Sequence, residues 1–216
     1  MSAWCGWYDR ILKRKGSKRL LGQGYSGTDY LHTINFSSMQ DKILAANARY
    51  SAKVNALLQE LAPLSHDLLN RKPADGGWSA MQTLHHLILV EENSRAYIRK
   101  KLGFNPKVEK SGFWTPLKML LLRVTLRSPI KFSAPKSASA ERIPDSADFA
   151  ETQAQWQKIR ADWTTFFETM PPELQDKAVY RHPRIGLINW LQMLDFLSEH
   201  FDRHRGQALR AVFGKF

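Results

Sequence analysis

Residues 189–214 read NWLQMLDFLSEHFDRHRGQALRAVFG. Asn189 with Gln192 three positions on is an N-terminal cap signature, and Gly214 supplies a stop. The stretch therefore predicts one helix from about Trp190 to Phe213. Within it, Glu199-His200-Phe201-Asp202-Arg203-His204 sets two histidines four residues apart. On a helix that spacing stacks both imidazoles on one face, one turn apart. Two such rings can hold one metal ion, and a third ligand must then come from another element. Sites of this kind are built from side chains on facing helices of a bundle.

The rest of the chain supplies those helices. From Gln40 to about Asn70, Ile43, Leu44, Tyr50, Val54, Leu57, Leu58, Leu61 and Leu68 recur at helical spacing. Pro63 is expected to kink this helix or end its regular part. Ser79 with Gln82 makes a capping box, so a second helix opens there and runs to about Leu102, where Gly103, Asn105 and Pro106 stop it. Ser146 is read as the cap of a third helix, Ala147 to Met170, whose Phe149, Trp156, Ile159, Trp163, Phe166 and Phe167 face the core. Residues 173–187 are a loop or a short hairpin. The sum is an all-α four-helix bundle, without convincing strands and with a long crossover connection, residues 103–146, between helices 2 and 3. Pro116 to Leu126 inside that connection is a candidate short helix, and a connection of such length usually crosses over the bundle or covers a site.

At 216 residues the chain suits one domain with a full core. Its 43% hydrophobic and 24% charged residues are ordinary for a globular protein. The one cysteine, Cys5, excludes an internal disulfide and a Cys-rich zinc module, and a reducing, cytoplasmic setting is expected. No apolar run approaches the ~20 residues of a membrane span, so no membrane partner is expected. There is no glycine-rich phosphate loop and no Gly-x-Ser-x-Gly elbow. Residues 1–38 carry six Lys/Arg against two Asp, with no amphipathic pattern. They are expected to be a leader outside the domain, either a mispredicted or vector-derived extension before a natural start at Met39, or an arm packing on a partner subunit.

The net charge is +12, and the stretch Arg99 to Arg142 holds eleven Lys/Arg against Glu109 and Glu141. Such a run can contact nucleic acid or anionic lipid, but is more often a solvated surface. Of the seven histidines, His85 and His86 sit near the start of the second helix. Adjacent residues diverge by about 100° around a helix, so only one of the two can point inward. Periodicity does not choose between them. His85 shares a face with Met81 and Ile88; His86 shares one with Gln82, Leu89 and Asn93.

Trp78-Ser79-Ala80-Met81-Gln82-Thr83-Leu84-His85-His86-Leu87 resembles the opening of helix two in the DinB superfamily. His182-Pro183-Arg184-Ile185-Gly186, then Trp190-Leu191, then Glu199-His200 through His204-Arg205-Gly206-Gln207, is similar to that family's C-terminal signature, as is the Pro-rich basic segment around Leu126 to Pro135. The resemblance covers about residues 39–216, which it implies are one four-helix bundle domain of DinB type. It implies a divalent metal bound by His86, His200 and His204, and so favours His86 over His85. Three neutral imidazoles leave a metal its full charge and an open position. They suit zinc, nickel, iron or copper without naming one. The metal would lower the pKa of a bound water, activate a thiolate or polarise a carbonyl.

His182 is expected at the mouth of the pocket, and Gln82 and Asn93 are pocket candidates by sharing the His86 face. Glu199, Asp202 and Arg203 flank the ligands and are read as surface or subunit contacts. Trp156, Trp163 and Trp190 are read as core. The resemblance implies a metal-dependent enzyme acting on a small molecule, a hydrolase or a low-molecular-weight thiol S-transferase, and a homodimer. No acid/base partner is evident beside the ligands. The alternative is a non-catalytic, metal-stabilised binding protein that uses the basic 99–142 stretch to contact nucleic acid or an anionic partner.

Overall fold

The structure is a computed structural model that describes residues 38–104, 109–128 and 140–214. Six α-helices and one hairpin are present among the described residues. They are α1 (Met39–Leu61), α2 (His66–Asn70), α3 (Ala80–Gly103), α4 (Thr115–Arg127), α5 (Phe149–Glu168) and α6 (Trp190–Phe213), with β1 (Ala178–His182) and β2 (Gly186–Asn189) before α6. The expected leader, residues 1–38, lies outside the described residues except for Ser38.

Capping chemistry sets the helix starts. Ser79 accepts the Gln82 N–H while the Gln82 side chain accepts the Ser79 N–H, and Asn189 with Gln192 repeats the arrangement at α6. Gly214 closes α6 at φ +87°, a conformation costly for a side-chain-bearing residue. Three boundaries differ from the sequence reading. α1 is capped by Ser38, whose hydroxyl accepts the Asp41 N–H. α5 is capped by Asp148, accepting the Glu151 N–H, and not by Ser146. The stretch to Asn70 is two helices and not one: the regular part ends at Leu61 beside Pro63, as one of the two expectations for that proline had it, and Ser65 caps the separate short α2.

The four long helices form the bundle. α1 packs on α5 and α6, and α3 packs on the same two, so the ring runs α1, α5, α3, α6. α4, from the long connection between α3 and α5, lies against α6. Trp156, Trp163 and Trp190 are fully buried with Phe166, Phe167 and Phe201. Trp163 stacks on Phe167 at 5.4 Å between ring centroids, and Phe167 meets the Trp190 ring edge-on at 5.8 Å. Burying each such ring contributes on the order of 2 kcal/mol by area.

A polar knot sits inside this core. Glu91 of α3 is fully buried and accepts from Arg160 Nη1 at 2.6 Å, Trp156 Nε1 at 2.7 Å and the Tyr50 hydroxyl at 2.8 Å. Arg160 also donates to Asn47 and, at 3.2 Å, to Ser51, and its guanidinium lies 4.4 Å from the Tyr50 ring centre. Burial, then the Glu91 charge, pushes the Tyr50 phenol well above its ordinary range, so it stays protonated and donates. The knot joins α1, α3 and α5. It is tied to α6 through Phe201, whose ring is 5.9 Å from Tyr50 and 6.1 Å from Trp156.

Residues 178–189 form an antiparallel hairpin, the second of the two alternatives expected for residues 173–187, and this corrects the expectation of a bundle without convincing strands. Arg181 pairs with Leu187 and His182 with Gly186, and the register slips between Ala178 and Tyr180. The tight return at Pro183-Arg184-Ile185 is completed by Gly186 at φ +86°. Each strand is too short to show a period of two. The hairpin packs on α3 and α6 and brings His182 to the end of a strand that faces them.

Candidate metal centre

His200 and His204 project from one face of α6, and His86 from the facing side of α3. The three rings form a compact triangle, with centroids 5.2 Å (His86–His200), 4.6 Å (His86–His204) and 4.5 Å (His200–His204) apart. One ligand nitrogen from each lies within 4.8 Å of the other two. The His86 and His200 Nε2 atoms are 3.4 Å apart. Two metal–imidazole bonds of about 2.0–2.1 Å at a tetrahedral angle span about 3.4 Å, so this pair fits a shared ion. His86 is buried, while His200 and His204 keep part of their surface exposed. His86 thus forms the inner corner of the triangle, and His200 and His204 lie nearer the surface.

Electrostatics leaves the His200 and His204 rings neutral. Burial, then the neighbouring His204 and His86, holds the His200 imidazole well below its usual value. His204 is lowered to about 4, first by burial and then by His86. Metal ligation requires the neutral imidazole, and the folded chain supplies it at pH 7 without the metal having to displace a proton. The Gln207 amide oxygen lies 2.9 Å from His204 Nδ1. An amide oxygen only accepts, so Nδ1 carries the proton and the Nε2 lone pair is left for a metal.

The two adjacent histidines part company as helix geometry requires. His86 faces α6, whereas His85 turns toward α5, its Nε2 3.1 Å from the Thr152 hydroxyl. Trp78 walls one side of the triangle, 4.9 Å from His86 and 6.4 Å from His204 between ring centres. Phe196 walls the other, 5.6 Å from His200. His182 is buried at the end of β1, edge-on to Phe196 at 4.4 Å, and burial followed by the Arg184 charge lowers it to about 4. Its Nδ1 accepts the Arg184 N–H at 3.2 Å, so the neutral ring carries its proton on Nε2. Gln82 is engaged in the α3 cap and donates to Asp145 at 3.4 Å. Asn93 lies half-buried on α3, seven residues past His86.

The charged residues flanking His200 and His204 hold α6 in place from both sides. Glu199 receives Arg127 through Nε at 2.8 Å and Nη2 at 2.7 Å, and Arg123 Nε at 3.1 Å. Arg203 donates to the Leu126 and Ser128 carbonyls, and Asp202 meets Lys53 of α1 at 2.6 Å. These contacts lie within the chain. They fix the rotation of α6 about its axis and thereby the direction of His200 and His204. Three residues around the triangle, Trp78, Phe196 and Gln207, had no role assigned from sequence. Gln207 could have been found by its spacing, three residues after His204 on the same helical face.

Fold and triangle together define a helical bundle with a possible three-histidine metal site. A sequence model of the DinB superfamily matches residues 49–208, and the chain belongs to that superfamily. No curated protein matches it. Among solved structures it is similar to YfiT from Bacillus subtilis, described as a probable metal-dependent hydrolase with an unusual four-helix bundle topology. That similarity is 17% identity over 87% of this chain and 92% of the other, with a TM-score of 0.49.

Proposed function

We propose that the protein is a metal-dependent enzyme that activates a small nucleophile, as a hydrolase or as a transferase of a low-molecular-weight thiol. His86, His200 and His204 are the metal ligands in this reading. The observation that carries it is the convergence of three imidazoles from two facing helices, with one ligand nitrogen of each within 4.8 Å of the other two. A divalent ion such as zinc, nickel or iron, when bound, lowers the pKa of a water or thiol and polarises an electrophile.

The chain's own residues do the rest. Gln207 holds the His204 tautomer, and Trp78 and Phe196 shield the site from bulk water. His182, neutral at pH 7 with Nδ1 accepting the Arg184 N–H, keeps its proton on Nε2 and stands across Phe196 as a hydrogen-bond donor beside the site. The only cysteine is Cys5, outside the described residues, so a thiol would enter as a cosubstrate. The cytoplasmic location expected from the single cysteine and the homodimer implied by the family resemblance belong to the same reading.

The test is turnover by metal-loaded protein of a panel of esters and amides, and of thiol–electrophile pairs. Turnover lost in His204→Ala supports the enzyme and separates its two forms. Metal-loaded, folded protein that turns over neither panel favours the alternative, in which the metal serves structure and binding only.

A further inference from the structure

The amphipathic design of α4 is incomplete as the chain stands. One line of the helix, Thr115, Met119, Leu122 and Leu126, packs inward against α6. The opposite line, Leu117, Leu120, Leu121 and Val124, follows the i, i+3, i+4, i+7 spacing of a second apolar face, yet these residues are 51%, 55%, 59% and 61% exposed. Phe113 and Trp114, 89% and 65% exposed, extend the stripe beyond the helix N-terminus. A helix apolar all round is ordinarily buried all round, and contiguous exposed apolar surface of this kind marks a contact.

We propose that α4 is a membrane-surface element that lays its outer face into an anionic lipid bilayer. Charge selects this occupant. No Asp or Glu occurs between Glu109 and Glu141, while Lys110, Lys118, Arg123, Arg127, Lys131 and Lys136 do. Lys118 borders the stripe on one side; on the other Arg127 stays 67% exposed while paired with Glu199, so the lipid-facing charge rests first on Lys118. An apolar helical face with Trp and Phe at one end and cations along its borders is the pattern of helices that lie in the headgroup region. A second copy of the chain would bring the same basic border against itself across a two-fold axis. Nucleic acid would answer the cations and gain nothing from four exposed aliphatic side chains. The stripe is convex, on a helix applied to the outside of the bundle, so a protein partner would need a groove; a bilayer needs none. No described helix is long and apolar enough to cross a membrane, but that bears on spanning and not on lying at the surface.

The experiment is co-sedimentation of the full-length protein with vesicles of equal parts phosphatidylglycerol and phosphatidylcholine, against vesicles of phosphatidylcholine alone. The proposal predicts binding to the anionic vesicles at low salt, at least about tenfold weaker on neutral vesicles and weakened at about 0.5 M salt. Leu120→Glu/Val124→Glu reduces binding to anionic vesicles at least about tenfold, with an unchanged melting curve because both positions face solvent. Lys118→Glu weakens binding less. Absence of binding to anionic vesicles overturns the proposal, as does binding that survives Leu120→Glu/Val124→Glu. Conversion of a wild-type dimer to a monomer by that variant, with no vesicle binding by either form, overturns it in favour of a second copy.

Discussion

Replacing Glu91 by leucine tests how the bundle is held beneath the metal centre. The carboxylate accepts three hydrogen bonds, from Tyr50, Trp156 and Arg160, and is fully buried. Leucine fills nearly the same volume but accepts nothing. The Arg160 guanidinium, 5% exposed, then remains in the core with Asn47 and Ser51 as its side-chain partners and no counter-charge. Breaking a buried pair from one side costs about 3–5 kcal/mol, a large part of the ~5–15 kcal/mol by which domains are stable. With a urea slope near ~2 kcal/mol/M, the unfolding midpoint should fall by about 2 M. The double variant Glu91→Leu/Arg160→Met removes both charges and should regain at least about 2 kcal/mol, since the remaining orphans, the Tyr50 hydroxyl and the Trp156 indole, are neutral. A Glu91→Leu loss below about 1 kcal/mol, or strict additivity in the double variant, would refute the reasoning that this pair is a coupled, desolvated unit.

Gln207→Leu removes the acceptor for His204 Nδ1–H, and zinc affinity measured by calorimetry should fall about 10- to 100-fold while the melting curve of the metal-free protein stays nearly unchanged. Ser38→Ala should cost about 1 kcal/mol in urea unfolding through loss of the α1 cap, and a chain begun at Met39 should show the same loss; no change would mean that water serves the Asp41 N–H as well. In metal-free protein His182 and His204 titrate at about 4 and not at 6.5. Between those values the unfolded chain binds protons that the folded one does not. Stability is therefore full above about pH 6.5 and is lost as pH falls toward 4, at up to about 1.4 kcal/mol per pH unit for each group. Urea midpoints at pH 7 and pH 5 that coincide would contradict the burial of these rings.

How far the sequence could be read depended on whether a signal was local. The caps of α3 and α6 are reciprocal side-chain–backbone pairs three residues apart, and Ser79–Gln82 and Asn189–Gln192 were legible for that reason. At α5 two capping residues stood two positions apart; Glu151, three after Asp148, was the local sign that separates them, and choosing Ser146 passed it over. Ser38 was overlooked because it sits at the edge of a glycine-rich, basic stretch that shows no period. The i, i+4 histidines could be placed on one face from spacing alone. Choosing His86 over His85 needed either the family resemblance or the position of α6, which helical periodicity on α3 does not contain. The same limit hid Trp78, Phe196 and the pairing of Glu199 with Arg123 and Arg127, all of which depend on which helix lies opposite. The basic run, read as a solvated surface, proves partly engaged with acidic residues of α6. The apolar line beside it emerged only once one face of α4 was seen to be covered.

The central claim is that His86, His200 and His204 hold one divalent ion, and X-ray absorption at the metal edge tests it most directly. Protein purified without chelator should carry about one metal per chain, with a first shell containing three imidazole nitrogens at about 2.0–2.1 Å. His86→Ala and His204→Ala should each abolish stoichiometric metal. A wild-type protein without bound metal, or metal content unchanged by both substitutions, would contradict the claim.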